Sequence, residues 1–188
     1  MDPDRDLVAR ARGGELHAFE QLVQRHRDVV FRVVVRIVGP GEAEDTAQDA
    51  FLRAFHRLDR FRGEGTFRSW LLQIAHNAAL NALQRRRPEP VDPLAEGVEP
   101  AMTVGGQRTP ADRLEARERA ERLAGKLQSL SSTHRTVLVL RDVEGLSYEE
   151  IAEVTDAPLG SVKGRLHRAR GELIELLRRN SYDWELPS

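Results

Sequence analysis

The sequence predicts an all-α protein of two small helical domains joined by a flexible acidic linker, the second domain ending in a helix-turn-helix. Three observations carry this. Up to about residue 87, apolar residues recur at helical spacing in segment after segment. From Pro88 to Ala111 the pattern stops: five prolines, three glycines and the acids Glu89, Asp92, Glu96 and Glu99 stand against one base, Arg108. Such a composition extends rather than packs. Finally, Leu146 to Leu177 reads as two helices around a tight turn. The expected organisation is residues 1–87, a linker at 88–111, residues 112–180, and a tail at 181–188 that holds Tyr182 and Trp184.

The elements follow in order. Asp6 to Arg12 is a short helix ended by Gly13-Gly14. Glu15 to Val38 is a long one, with Phe19, Leu22, Val23, His26, Val30, Val33, Val34 and Ile37 inward. The β-branched run Val29–Val38 also suits a strand, but the length of the whole pattern and its internal arginines favour helix. Gly39-Pro40-Gly41 is read as the stop. In Glu42 to Leu58 the buried face is Ala43, Ala47, Phe51, Ala54, Phe55 and Leu58. Asp45, Gln48, Asp49, Leu52, Arg53 and His56 point away, so Leu52 is an apolar residue among polar ones. Asp59–Thr66, DRFRGEGT, is a glycine-bearing loop. Phe67 to about Arg86 buries Phe67, Leu71, Ile74, Ala75, Ala78 and Ala82, and carries a stripe of Trp70, Gln73, Asn77, Asn81 and Gln84. Amides can hydrogen-bond base edges and an aromatic ring can stack on an unpaired base; a solvated polar stripe explains the same residues equally well.

Helical pattern resumes at about Asp112, and Ser131-Ser132 caps a further helix with Val137, Leu138 and Leu140 inward. Ser147 and Glu150 then form a capping box, and Asp156-Ala157-Pro158 breaks the chain. In the last helix Val162, Leu166, Ala169 and Leu173 share one face. Ser161, Gly164, His167 and Arg168 lie opposite, flanked by Lys163, Arg165 and Arg170. No acid falls between Leu159 and Gly171. A helix lying in a major groove needs this pattern: small polar groups toward base edges and cations toward phosphates. The bland alternative is an amphipathic helix with a solvated basic face. The capped first helix and the proline-bearing turn favour helix-turn-helix.

Composition narrows the function. The formal net charge is −1, so attraction to a polyanion has to be local. The chain has no cysteine, which excludes disulfides and thiolate zinc sites and fits a reducing compartment. The longest apolar run is cut by Arg32 and Arg36, and MDPDRDLVARARGG lacks a signal-peptide core; a cytoplasmic protein is expected. The histidines, His17, His26, His56, His76, His134 and His167, show no metal-ligand spacing, and FRGEGT lacks the GK[ST] of a P-loop. No enzyme, cofactor or small-molecule substrate is therefore expected.

Together the segments AFEQLVQRHRDVVFRV, EDTAQDAFLRAF, LDRFRGEGTFRSWLLQIAHNAALNALQRRR and LSSTHRTVLVLRDVEGLSYEEIAEVTDAPLGSVKGRLHRAR resemble the extracytoplasmic-function (ECF) sigma factors of bacterial RNA polymerase. The resemblance implies docking on the polymerase core, at the β′ clamp helices and the β flap, with Asp45, Gln48, Asp49 and Leu52 as clamp contacts. It implies that Phe61, Arg62, Gly63, Glu64, Gly65 and Thr66 form a pocket for a flipped −10 base, and that Trp70, Gln73, Asn77 and Asn81 line the strand path. For the −35 duplex it implies Arg141, Ser161, Lys163, Gly164, Arg165, His167, Arg168 and Arg170. Gly164 and His167 depart from the commoner residues at their positions. The linker would thread the active-site and RNA-exit channel, and an anti-sigma factor would hold the protein inactive. The competing readings are a DNA-binding activator with a helical sensor domain, and a sigma-like protein that occupies polymerase without melting promoters.

Overall fold

The structure, a computed structural model, describes residues 2–85 and 110–179, the side chains of 110–117 apart. Nearly all of the expected linker, and the tail with Tyr182 and Trp184, lie outside the described residues. Among the described residues every regular element is helical.

The first unit is α1 (Arg5–Arg12), α2 (Leu16–Val38), α3 (Pro40–His56), a short 3-10 turn (Leu58–Arg60) and α4 (Phe67–Arg85). The β-branched run in α2 is helical and buried: Val30, Val33, Val34 and Ile37 are fully enclosed. The stop after it is shorter than Gly39-Pro40-Gly41. Gly39 alone makes it, at φ 89° and ψ 169°, a backbone region open to glycine. Pro40 opens α3, where its fixed φ suits the first helical position and its missing N–H is not needed. α3 turns Ala43, Ala47, Ala50 and Ala54 to the core, small residues that let α2 and α4 approach it. Phe55, expected on that buried face, is instead 43% exposed. Its ring meets Phe19 of α2 edge-on, with centroids 5.0 Å apart.

The start of α4 is capped twice. Thr66 Oγ1 accepts from the Ser69 N–H at 3.1 Å, and the Asp2 carboxylate accepts from the Phe67 N–H at 2.8 Å. These satisfy two of the donors that every helix start leaves unpaired. Asp4, 1% exposed, pairs with His26 Nε2 at 2.6 Å and with Arg25, so the N-terminal residues are fixed against α2.

The second unit is α5 (Pro110–Gln128), α6 (Ser132–Leu138), a π-type turn (Val139–Val143), α7 (Tyr148–Thr155) and α8 (Leu159–Arg178). α5 begins two residues before the expected Asp112, again on a proline. The capping box is present: Glu150 N–H donates to Ser147 Oγ at 3.1 Å, and Ser147 N–H to Glu150 Oε2 at 2.7 Å. Asp156 ends α7 in the left-handed region, φ 49°, a conformation its short polar side chain tolerates.

The two units pack on one another. α4 lies along α7 and α2 meets α5 and α6; the buried apolar residues of both units join in one cluster. Arg135 of α6, 6% exposed, ties them. Its Nε donates to the Leu127 carbonyl at 2.8 Å, Nη2 to the carbonyls of Gln128 and Leu130 at 2.7 and 2.8 Å, and Nη1 to Gln128 Oε1 at 2.7 Å and to the Ile37 carbonyl in α2. Gln128 Nε2 donates to the Arg36 carbonyl at 2.9 Å. Carbonyls at the C-terminal end of α2, which no residue of α2 can satisfy, are thus capped by side chains of the other unit. Arg135→Ala should lower unfolding stability by about 3 kcal/mol, because it strands several buried carbonyls at once; urea unfolding followed by circular dichroism measures it, and a loss below about 1 kcal/mol would mean the carbonyls find water.

Candidate functional site

Three surfaces hold the candidate residues. On α3, Asp45 and Gln48 are exposed and Asp49 is half-buried, with its carboxylate 2.8 Å from Arg53 Nη2. Leu52 is 61% exposed in the same row. Phe55, three residues on and on the same side of the helix, joins it. Two large apolar side chains are thus exposed side by side on the row that carries Asp45 and Asp49. The sequence reading missed Phe55; its spacing from Leu52 was the available signal.

In the loop before α4, Phe61 is buried, with its ring centroid 5.9 Å from Phe67 and 5.4 Å from Trp70. It supports the loop from beneath. Arg62, Gly63, Glu64 and Gly65 are exposed above it and Thr66 is half-buried as the cap. Along α4, Trp70, Gln73 and Asn81 are half-buried and Asn77 is exposed, so the stripe exists as one line. Part of it is occupied. Gln73 Nε2 donates to the Glu153 carbonyl of α7 at 3.0 Å, and a Cβ on Gly65 would meet a Glu153 carboxylate oxygen at 3.3 Å.

On α8, Val162, Leu166 and Ala169 are buried while Lys163, His167, Arg168 and Arg170 are exposed. Ser161 and Gly164 are half-buried between them, and Arg168 lies against Gly164, its Nη2 3.8 Å from where a Cβ would be. Two cations are partnered within the unit. Arg170 forks onto Asp142 at 2.5 and 3.1 Å, which raises its pKa. Arg141 Nη1 donates to the Leu146 carbonyl at 2.6 Å, its guanidinium 4.8 Å from the Tyr148 ring centroid. Lys163 Nζ approaches the same ring at 5.8 Å.

Arg165 takes a different place. It is half-buried and its charge acts on His76 of α4. His76 is 6% exposed, and its Nδ1 has no hydrogen-bond partner. Burial, with a smaller contribution from Arg165, pushes its pKa down to about 4.

The structure also gathers a set the sequence reading left unassigned: Arg32 of α2, Arg68 of α4 and Glu144, which follows the π-type turn. Arg32 Nε and Nη2 each donate to one Glu144 oxygen at 2.9 Å; Arg68 Nη2 reaches the Glu144 carbonyl at 3.2 Å and its Oε2 at 3.6 Å. Arg32 was visible as a charge inside an apolar run, but nothing in the pattern names a partner 112 residues away.

The Sigma-70 region 2 family matches residues 22–89 and the Sigma-70, region 4 family matches residues 120–173. The chain is 38% identical over 178 residues to the ECF RNA polymerase sigma-E factor of Haemophilus influenzae, covering 92% of this chain and 93% of that protein. The chain belongs to the ECF sigma factor family. It is 38% identical over 172 residues to the ECF RNA polymerase sigma-E factor of Escherichia coli K12, covering 89% and 90%. Among solved structures it resembles CnrH in complex with the cytosolic domain of CnrY, with TM-score 0.71, 32% identity, and 95% and 99% of the two chains covered. It shares the fold of the sigma factor RpoE, solved with the anti-sigma factor NepR from Bartonella quintana, at TM-score 0.67 and 22% identity over 85% and 96%. This ECF sigma factor is thus a transcription initiation factor rather than an enzyme. No helix of the described residues is long and apolar enough to cross a membrane.

His76 gives the sigma factor a pH signature. Its folded pKa of about 4 lies below the ordinary 6.5, so protonation favours the unfolded chain. The stability it contributes is complete above pH 6.5 and lost as pH falls through 4. The loss should approach about 3 kcal/mol, at about 1.4 kcal/mol for each pH unit between the two values. His76→Leu should remove that part of the pH dependence. Unfolding curves of both proteins between pH 7 and 4 test it; parallel curves would show His76 to be hydrated.

Proposed function

We propose that this sigma factor binds core RNA polymerase, directs it to promoters by reading −10 and −35 elements, helps melt the DNA, and is held inactive by an anti-sigma factor in the cytoplasm. Residues 1–87 serve as region 2, 88–111 as the linker that threads the polymerase channel, and 112–180 as region 4. The observation that supports this best is the pairing, in one chain, of an apolar docking patch on α3 and an acid-free polar face on α8, each exposed where its job requires.

Asp45, Gln48, Asp49 and Leu52 dock on the β′ clamp helices, with Phe55 beside them. Phe61, seated on Phe67 and Trp70, holds the Arg62–Thr66 loop in position to take a base flipped from the non-template strand. Flipping costs a few kcal/mol of stacking, which a closed pocket recovers. Trp70, Gln73, Asn77 and Asn81 carry the strand onward. A site that fits only a single strand stabilises only the melted state, so binding pulls the duplex apart.

Region 4 binds the −35 duplex and reaches the β flap. Arg168 lies centrally on the groove face, where it can take a guanine bidentately. Ser161, Gly164 and His167 frame it; Arg141, Lys163, Arg165 and Arg170 serve the phosphates. The anti-sigma reading draws support from CnrH, a chain similar over both units that was solved with the cytosolic domain of another protein.

In vitro transcription from fragmented DNA, with core polymerase and with or without this chain, tests the reading. Discrete new 5′ ends that require the chain support it, and their upstream sequences give both elements; binding to core without new starts would instead favour a polymerase decoy. At the −35 element, Arg168→Ala should relax specificity at one position by about 1–3 kcal/mol, while Lys163→Ala weakens all sequences alike and reduces the salt slope by about one. Sequence-blind losses of equal size for both variants in salt titrations would remove Arg168 from the groove.

A further inference from the structure

We propose that the N-terminal arm, residues 2–12, positions the −10 pocket by holding both ends of the loop before α4, with Asp2 and Arg25 as positioning residues for base capture. The proposal rests on the −10 reading of that loop given above.

The arm meets the loop at its two ends. Arg12, in the last turn of α1, donates from Nη2 to the Asp59 carbonyl at 3.5 Å. Asp2 accepts from the Phe67 N–H at 2.8 Å, directly after the loop's Thr66. Between these ties Arg62, Gly63, Glu64 and Gly65 are exposed, and Gly63 turns at φ 73°, a region that favours glycine. A loop with no regular structure of its own takes its course from what holds its ends and from Phe61 beneath it.

The arm is in turn anchored to α2. Asp4 stands at the N-cap of α1, where an aspartate side chain ordinarily accepts from its own helix. Here it makes no such bond. Its carboxylate goes to His26 Nε2 at 2.6 Å and Arg25 Nη1 at 2.5 Å, and Arg25 also donates to the Pro3 carbonyl at 3.3 Å. A cap has been given up for an anchor. The Asp4 N–H then donates to Asp2 Oδ1 at 3.1 Å, which leaves Oδ2 for Phe67.

One line of hydrogen bonds thus runs from α2 through Asp4 and Asp2 to the first N–H of α4. A second path reaches the same place through rings. His26, held by Asp4, lies 5.5 Å from Phe67 between centroids, and Phe67 meets Phe61 and Trp70 at 5.9 and 5.7 Å. The arm therefore fixes the edge of the pocket and its floor together. Asp2 and Arg25 act through Phe67 and not by touching a base.

The test uses holoenzyme assembled from core polymerase and the full chain. The probe is the non-template strand of a promoter mapped by the transcription assay above, followed by fluorescence anisotropy. An abasic site is walked through its −10 element, and the position at which the wild type loses most affinity marks the captured base. The ratio of the two dissociation constants, abasic over intact, reads capture alone, because a loss of folded protein or of core binding scales both constants and cancels. Asp2→Ala should lower this ratio about three- to fivefold, the factor by which a lost cap ordinarily weakens a helix start and so the competent fraction. Arg25→Ala, which frees the arm without touching the loop, should lower it in the same sense. The double variant should add little to Asp2→Ala, since both act through one contact.

A wild-type ratio in both variants, with only a lowered melting temperature, would make the arm an element of the fold alone and overturn the proposal. Equal losses on intact and abasic strands, with the salt slope reduced by about 0.7 for Arg25→Ala, would make Arg25 a phosphate contact and overturn its positioning role. If no abasic position stands out in the wild type, the −10 pocket reading falls and this inference with it; if one does and neither variant moves it, this inference falls alone.

Discussion

The arrangement of the molecule depends on burying one permanent charge. Arg135 cannot shed its proton, so its five N–H donors all need acceptors once water is excluded. The acceptors are the Gln128 side-chain amide oxygen and carbonyls at the end of α5, in the turn that follows, and at the end of α2. Most of those carbonyls belong to the last turns of two helices, and a cation there also meets the negative end of each helix dipole. One side chain therefore fixes the angle between α5 and α6 and seats region 4 on the end of α2. Gly39 is part of the same constraint, because its turn ends α2 at a point where Arg135 and Gln128 reach the last exposed carbonyls.

Seen from that joint, the near-zero net charge acquires a structural meaning. Two of the cations expected at DNA are partnered within the chain: Arg170 by Asp142, and Arg141 by the Leu146 carbonyl and Tyr148. Exposed pairs of this kind contribute little to stability in water and exchange readily for phosphates. The buried Glu144 differs, since it has given up nearly all contact with water and its two arginines make that tolerable.

The helices were legible because each has one apolar stripe and punctuation that physical chemistry makes nearly obligatory. The Ser147–Glu150 box, the acid-free face of α8 and the row from Asp45 to Leu52 all stand where their spacing puts them. Pro40 was misread because proline both ends helices and begins them, and only the φ of Gly39 decides which. Phe55 was misread because large aromatics usually face inward; here alanines fill the core side and the ring is pushed out against Phe19. Arg135, Glu144 and Arg68 were beyond reach for a different reason. A polar residue in a helical pattern looks the same facing water as facing another unit, and periodicity records which face a residue is on, not what covers it.

Cover is distributed unevenly over the three surfaces. α7 meets α4 at Gln73 and the preceding loop at Gly65, whereas Leu52 and Phe55 on α3 remain open at 61% and 43%. On the proposed reading, a partner that recognises α3 finds its site complete in the closed chain, while a strand meets α7 at Gln73 and Gly65. If the two events are linked, polymerase can bind first and DNA second without any change in α3. The energy for opening must then come from contacts that the closed chain does not make, since a ligand shifts an equilibrium only by its differential affinity for the two states. Docking through α3 alone supplies none. On that reading, opening has to be driven by contacts to region 4 or by the strand itself rather than by the docking patch.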